Sequence, residues 1–198
     1  MDEPKEKIPK KKSVLLIYIL SIITLGIYQY LWYIKRADEL NNLKTISKFN
    51  KAISIIALTL YLALIALYIV LITFSPQISA VIPAIIFIDV PIEFIINLSL
   101  IIIILVILII MVLFMAFKTQ KILNQALVNK GEKVKLSWFL TFIFNLFYLQ
   151  YEINRIIDDR ENNKRTGPWV IFILHLIIVI LIPILLAAFF ASLFASLI

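Results

Sequence analysis

The sequence predicts an all-α integral membrane protein with three to five transmembrane helices. Hydrophobic residues fill 63% of its 198 positions and charged residues only 16%, whereas a soluble domain is nearer half apolar and about a quarter charged. The charges also cluster, and the apolar runs between them reach the roughly 20 residues that a helix needs to cross a bilayer. A third observation, the placement of the basic residues, decides how many of these runs span.

Five apolar runs follow one another along the chain. We expect three full spans, at 52–73, 94–117 and 169–190, because about 22 residues at 1.5 Å each give roughly 33 Å of helix. The runs 13–34 and 136–153 carry polar or turn-forming residues near their middle. We expect these two to be re-entrant or interfacial segments on the cytoplasmic side.

The distribution of Lys and Arg favours this arrangement. If all five runs spanned, the two sides of the membrane would carry nine and ten basic residues, with no bias. If 13–34 and 136–153 enter and leave on one side, all 19 basic residues lie there, and the loop on the opposite side, 74–93, has none. Short basic loops face the cytoplasm, so we expect a cytoplasmic N-terminus in a multi-pass protein of the cell membrane. A model in which 13–34 spans stays open, because its length permits it.

A repeated motif accompanies the two re-entrant segments. Residues 21–42 form a first copy and residues 140–159 a second, related by an offset of 120. The identical pairs are Leu20/Leu140, Ile23/Ile143, Tyr28/Tyr148 and Asp38/Asp158. We expect a turn at 24–26, since Gly26 tolerates conformations that other residues avoid, and a corresponding turn at 144–146.

A flatter arrangement of the second copy is also open. Its apolar and polar residues fall on opposite helical faces, as in an amphipathic helix that lies in the membrane interface. The apolar face holds Leu146, Leu149, Ile153 and Ile156, and the polar face holds Gln150, Asn154, Arg155 and Asp158.

The predicted organisation has six parts. They are a cytoplasmic basic tail (1–12), which we expect to be disordered, a first repeat of motif plus span (13–73), an external loop (74–93), a linking span (94–117), a cytoplasmic loop (118–135) and a second repeat with an apolar tail (136–198).

The string TLGIYQYLWYIKRADELN resembles the signature of a prokaryotic membrane family catalogued as domain of unknown function 4234. The matching positions are Thr24, Gly26, Ile27, Tyr28, Trp32, Tyr33, Lys35, Glu39, Leu40 and Asn41. The second copy departs from the pattern, with Leu146 in place of the glycine and Glu152 in place of the tryptophan. The resemblance implies a small multi-helix membrane protein and carries no activity with it.

The composition excludes several kinds of site. There is no cysteine, which excludes disulfides, iron–sulfur clusters and thiolate zinc sites, and there is one histidine. Three glycines are too few for a phosphate-cradling loop. We therefore expect no cofactor and no metal. The net charge of +7 is explained by orientation and by attraction to anionic lipid heads, so we expect no nucleic-acid partner.

Two groups of residues remain as candidates for function. The motif residues are Thr24, Gly26, Tyr28, Trp32, Lys35, Glu39, Asn41, Tyr148, Arg155 and Asp158, and the polar sites near or within spans are Asp89, Glu93 and His175. His175 has a candidate hydrogen-bond partner in Asn145. The Tyr and Trp residues near the span ends are expected to form aromatic belts at the headgroup level.

These observations favour a non-enzymatic membrane scaffold or accessory subunit with a platform on the cytoplasmic face. Its partners would be the lipid bilayer with its anionic heads, and a membrane protein or further copies of itself. The alternative is a small transporter or channel that uses the duplicated re-entrant segments, since broken helices often line substrate pathways. A lipid-modifying enzyme is the third possibility. The acidic residues available to it for acid–base chemistry are interspersed with Lys and Arg, as on a solvated surface.

Overall fold

The computed structural model describes residues 9–74, 92–133, 135–158, 169–170 and 172–178, together with residues 184 and 188. Within this part of the chain the regular structure is entirely helical. The helices are α1 (Val14–Ile23), α2 (Ile27–Asn41), α3 (Lys51–Phe74), α4 (Ile92–Asn129) and α5 (Trp138–Asp158). The all-α class is therefore as predicted.

The first copy of the motif is a helical hairpin. Leu25 has a φ of 49° and Gly26 a φ of 91°, and these left-handed conformations end α1 and redirect the chain into α2. Thr24 joins the two arms, because its hydroxyl donates to the Leu20 carbonyl at 2.7 Å and accepts from the Tyr28 N–H at 2.9 Å. The break lies at the predicted turn, and residues 13–34 are not one continuous helix.

The second copy breaks at the corresponding place. Asn145, inside α5, has non-helical torsion angles of φ 42° and ψ −120°. It follows Leu25 by 120 residues, which is the offset that relates the identical residues of the two copies. The turn predicted at 144–146 is therefore also present, although no glycine stands there.

Within the described residues, two helices are long and apolar enough to cross a membrane, with candidate spans at Lys51–Val70 in α3 and Ile96–Asn129 in α4. Only 17% of the most apolar stretch of each is buried inside the protein. The core helix of a soluble domain would instead be mostly covered, since exposed apolar area costs about 25 cal/mol per Å² in water. The predicted spans 52–73 and 94–117 coincide with these two helices.

Helix α4 continues beyond the predicted span. It runs to Asn129, so most of the connector predicted as a loop at 118–135 is helical. The reason is an apolar face at helical spacing, since Ile122, Leu123, Ala126 and Leu127 are all buried. A turn follows directly, at Gly131, which has a φ of 84°.

The core lies where α2, α4 and α5 approach one another. Helix α4 packs against α3 and α5, α2 packs against α3, and α1 lies on α2 and α5. Trp32, Tyr30, Tyr33 and Tyr148 are buried in this core, so the prediction that they form an aromatic belt is wrong. Trp138 and its neighbours in the first arm of α5, by contrast, are exposed.

Some predictions fall on residues outside the described part. The external loop 74–93 lies there except for its edges, as do all of residues 159–168. Of the predicted third span, residues 169–170 and 172–178 are helical.

Candidate functional site

A buried polar cluster joins the two copies. It comprises Trp32 and Arg36 on α2, and Gln150 and Asn154 on α5, each pair four residues apart and so on one helical face. The side-chain oxygen of Gln150 accepts from Trp32 Nε1 at 2.9 Å and from Arg36 Nη2 at 2.8 Å. Gln150 Nε2 donates to Asn154 Oδ1 at 2.7 Å. One fully buried glutamine thus connects three side chains across the interface between the copies.

The backbone before α1 closes the cluster from the other side. Asn154 Nδ2 donates to the Lys12 carbonyl at 2.7 Å, and Asn154 Oδ1 accepts from the Lys12 N–H at 3.1 Å. Lys10 is held similarly, since its N–H donates to Glu39 and its carbonyl accepts from Arg36. Residues 10–12 were predicted to belong to a disordered tail, and that prediction is wrong because these main-chain bonds fix them against both copies.

Burial also acts on the Lys12 side chain. Partial burial lowers the pKa of its ammonium group, and the charge of Arg36 lowers it further. Removing an ammonium from water disfavours its charged form, and a neighbouring cation adds to that cost. The cluster therefore has a positive environment.

Arg36 is the charged centre of the cluster. Its side chain is 0% exposed, its Nη1 donates to the Glu39 carboxylate, and its guanidinium carbon lies 5.9 Å from the Trp32 ring centre. Its Nε is buried without a hydrogen-bond partner among the described residues. The ion pair with Glu39 lies within α2, and a buried ion pair stabilises little by itself although removing one partner is costly. The bond from Arg36 to Gln150 is the one that links α2 to α5.

Phenol hydroxyls cover both backbone breaks. Tyr61 on α3 donates to the Leu25 carbonyl, and Tyr33 on α2 donates to Asn145 Oδ1. A methyl group added at Gly26 would lie 3.4 Å from the Tyr61 hydroxyl oxygen. Non-helical backbone at membrane depth needs cover of this kind from other helices.

Most of the predicted motif residues have structural contacts. Thr24 and Gly26 form the turn, and the Tyr28 N–H in the first turn of α2 donates to Thr24. Trp32 belongs to the cluster, and Glu39 accepts from its Arg36. Asn41 brackets Phe49, accepting from its N–H at 2.6 Å and donating to its carbonyl at 2.9 Å. Lys35 is exposed.

In the second copy, the Tyr148 hydroxyl accepts from the Ser137 N–H at 3.0 Å. Arg155 forms an ion pair with Glu152 at 3.2 Å. Asp158 is the last residue of α5. None of these three motif residues joins the polar cluster.

His175 lies among aromatic rings rather than polar groups. Its ring centre is 5.6 Å from that of Tyr18, 5.5 Å from Phe147 and 6.3 Å from Phe144. Its predicted partner Asn145 instead accepts from Tyr33. The other polar candidates, Asp89 and the side chain of Glu93, lie outside the described residues.

Sequence reasoning missed Arg36, Gln150 and Asn154 as members of a site. Arg36 stands beside Lys35, which the motif match selected instead. Gln150 and Asn154 were assigned to the polar face of a helix that lies in the membrane interface, yet Gln150 is fully buried. The available signal was their spacing of four residues, which matches that of Trp32 and Arg36 on the opposite helix.

A comparison with protein families finds one that covers more than half of the chain. The model of a family described as "Domain of unknown function (DUF4234)" matches residues 12–125. This range includes the whole first copy and α3, and nearly all of α4. No curated protein and no solved structure matches the chain.

Proposed function

This chain belongs to the DUF4234 family, and we propose that it is a non-enzymatic, multi-pass membrane scaffold or accessory subunit. Its two copies of the motif would form one rigid platform on the cytoplasmic face. The observation that carries the proposal is the polar cluster, in which Gln150 bonds to both Trp32 and Arg36. Such a cluster fixes two segments in one register, and its polar groups form hydrogen bonds with one another.

Exposed apolar residues support a re-entrant first copy. At the hairpin tip, Ile23 is 71% and Leu25 76% exposed, and Ile22 beside them is also exposed. In water such a tip would be unfavourable, whereas in a bilayer it would lie among acyl chains. An arm of ten residues, the length of α1, reaches about 15 Å, roughly half of the hydrocarbon core.

The same proposal gives the topology of the whole chain. The three spans are 52–73, 94–117 and 169–190, and the two copies enter and leave on the cytoplasmic side together with the N-terminus. The repeats are then parallel. The matching breaks at Leu25 and Asn145 support a duplicated unit, and the distribution of basic residues supports its orientation.

Cysteine labelling tests the topology, since the chain contains no cysteine. Single cysteines replace Asn42, Gln77 and Asn163, and intact cells are treated with a membrane-impermeant thiol reagent. We expect only Gln77→Cys to be labelled in intact cells, and all three after lysis. Labelling of Asn42→Cys without Gln77→Cys would mean that the first copy spans, and the proposed platform would be wrong.

Site-specific crosslinking tests the scaffold role. A photoreactive amino acid at Lys35, which is exposed on α2, would report on the platform, and the same amino acid at Ile103 on the apolar face of α4 would serve as the control. We expect Lys35 to crosslink to one defined membrane protein or to a second copy, and Ile103 to crosslink mainly to lipid. Equal patterns from both positions would contradict the proposal.

The backbone breaks also favour a second candidate, a small transporter or channel. Broken helices expose carbonyls and N–H groups that can line a pathway. Here Tyr61 bonds the Leu25 carbonyl, which favours the scaffold. Purified protein in liposomes would decide: flux of ions or small solutes above protein-free liposomes supports the transporter, and its absence across a panel of solutes removes it.

A further inference from the structure

An open groove lies where three parts of the chain meet. The loop between α2 and α3 contributes Ile46, the C-terminal end of α4 contributes Phe117, Lys121 and Val128, and the connection to α5 contributes Lys135. The groove encloses about 510 Å³. Hydrogen bonds hold its walls together, because the Ser47 N–H donates to Gln125 Oε1 at 2.9 Å and the Leu136 N–H to Asn124 Oδ1 at 2.8 Å.

The polar lining of the groove contains two lysines and four side-chain amides, and the NH₂ groups of two of these amides, Gln120 and Asn129, already donate to backbone carbonyls. Lys121 and Lys135 are both exposed, and no Asp or Glu is among the described residues that line the groove. Asn124 and Gln125 also line it. Because their amide oxygens accept from backbone N–H groups, the NH₂ groups are what they offer to a ligand. The lining therefore suits an anion.

The groove lining also contains apolar residues, two of which are exposed. Ile46 is 95% exposed and Val128 62%, although both neighbour the basic residues. An isolated exposed isoleucine is ordinary, but this one stands at the rim of a groove whose floor includes Phe117. The ligand that fits has an anionic group and an apolar chain attached to it.

The position of the groove on α4 gives the source of such a ligand. Phe117 is the last residue of the apolar run in α4, and Lys118 begins the polar part of the same helix. In the topology of the proposed function, on which this step rests, that transition lies at the cytoplasmic headgroup level. Basic residues attract anionic lipid there, and each contributes roughly a fivefold gain in binding.

We propose that the groove is a binding site for one anionic phospholipid. Lys121 and Lys135 hold its phosphate, the amides of Asn124 and Gln125 donate to the phosphate oxygens, and its glycerol end and upper acyl chain pack against Ile46 and Phe117. The site couples the loop after the first copy to the connection before the second copy. Bound lipid therefore stabilises the arrangement of the two copies.

The test uses the full chain purified in detergent, with dioleoyl phosphatidylglycerol and dioleoyl phosphatidylcholine as probes. Native mass spectrometry measures how much of each lipid stays bound. The variant Lys121→Gln/Lys135→Gln removes both groove cations. The matched control Lys35→Gln/Lys133→Gln makes the same change in charge at two exposed lysines that are not among the groove's lining residues.

We expect the wild-type chain to retain one phosphatidylglycerol in preference to phosphatidylcholine. The groove variant should bind phosphatidylglycerol roughly thirtyfold more weakly, at about fivefold for each lysine, while the control stays within about twofold. Ile46→Ser should weaken retention of the diacyl lipid while leaving the preference for the anionic headgroup in place.

Three results would overturn the site. They are equal loss in the groove variant and its control, which would mean diffuse charge attraction; equal retention of the two lipids by the wild-type chain; and unchanged binding in the groove variant. Circular dichroism checks that each variant remains helical. The cysteine labelling described above does not depend on this groove, so a failed lipid test with the expected labelling removes the site and leaves the platform standing.

Discussion

Arg36 is fully removed from solvent while keeping its charge. The desolvation of a guanidinium is compensated only when its donors find good acceptors, and here Glu39, Gln150 and the Lys10 carbonyl supply them. An apolar residue at position 36 would lose these contacts and also remove the need for them. The value of Arg36 to the fold is therefore specificity, since no other register of α2 on α5 would satisfy these donors.

This argument predicts an asymmetry between single and double variants. Gln150→Met leaves Trp32 Nε1 without its acceptor in a buried place and removes one of the two acceptors of Arg36 Nη2, the other being the Lys10 carbonyl. We expect it to cost about 2–3 kcal/mol of unfolding free energy. Arg36→Met/Gln150→Met should cost less than the two single variants added together. Thermal or denaturant unfolding in detergent measures both, and strict additivity would show that the two side chains do not form one unit.

The Lys12 side chain gives a prediction of how the stability of the fold depends on pH. Its pKa in the folded chain is lowered by burial and by Arg36, whereas the unfolded value is about 10.4. Between those two values the unfolded chain binds more protons, so stability rises with pH in that window. Below the folded pKa the ammonium is charged in both states and destabilises the fold.

Lys12→Met removes this charge but keeps the main-chain bonds to Asn154. We expect the variant to be more stable than the wild-type chain at neutral pH, with the difference closing as pH approaches about 10.4. Unfolding midpoints across pH 7 to 10.5 check it. Lys35→Met, at an exposed position of α2, is the control, and a similar gain there would refute the role of burial.

At the scale of the element, the two broken segments show what sequence can and cannot predict. Gly26 predicts the first turn, because a glycine between two apolar arms favours a left-handed conformation. The second turn has no glycine, and only the offset of 120 residues predicts it. Neither pattern predicts that Leu25 adopts a φ of 49°, because that conformation is held by contacts with α3 and not by local preference.

A conservative change can separate the hydrogen bond at the Asn145 break from the packing of the ring that makes it. Tyr33→Phe keeps the ring that stacks on Phe49, with ring centres 5.9 Å apart, but removes the hydroxyl that donates to Asn145. We expect a loss of about 1 kcal/mol in stability. Tyr30→Phe is the control, since Tyr30 is also buried but its hydroxyl makes no hydrogen bond within the described structure.

Hydrogen exchange adds a local readout to that comparison. The amides that flank Asn145 should exchange faster in Tyr33→Phe than in Tyr30→Phe, because the break loses its cover. Equal exchange and equal stability in the two variants would mean that the Tyr33 hydroxyl does not support the break.

The length of α4 has a signal in the sequence. The segment after residue 117 is rich in Lys, Asn and Gln, which is typical of a connector, but Ile122, Leu123, Ala126 and Leu127 recur in it at helical spacing. The buried cluster was less predictable, because Gln150 and Asn154 are polar on a helical wheel, whereas Gln150 is fully buried in the fold. Composition shows where a helix leaves the apolar phase, but not which polar residues pair across an interface.

At the scale of the whole molecule, the apolar surface lies on the outside. Residues along α4 such as Ile103, Val106 and Ile110 are about half exposed or more, while the core is also mostly apolar and has Arg36 and Gln150 buried within it. A soluble protein rarely leaves so large an apolar surface uncovered. This exposed apolar surface is the strongest physical reason to place the chain in a bilayer.

Two matched substitutions on α4 test this placement. Val106→Lys lies near the middle of the apolar run and Val128→Lys in the polar part of the same helix, and both valines are exposed. We expect Val106→Lys to cost about 3 kcal/mol and to reduce the amount of protein inserted in membranes, while Val128→Lys is tolerated. If water covered the helix, both changes would lie within about 0.5 kcal/mol of neutral, and equal tolerance would refute the span.

The 38 residues of α4 make a rod of about 57 Å, nearly twice the roughly 30 Å of hydrocarbon in a bilayer. If α4 spans as proposed, lipid would fix the apolar part of the rod, whose far end contacts α2 and α5. A change in bilayer thickness tilts a spanning helix, and a tilt of a few degrees displaces the far end of such a rod by ångströms. In the proposed topology, α4 would therefore act as a lever that converts membrane thickness into motion of the surface assigned to the cytoplasm.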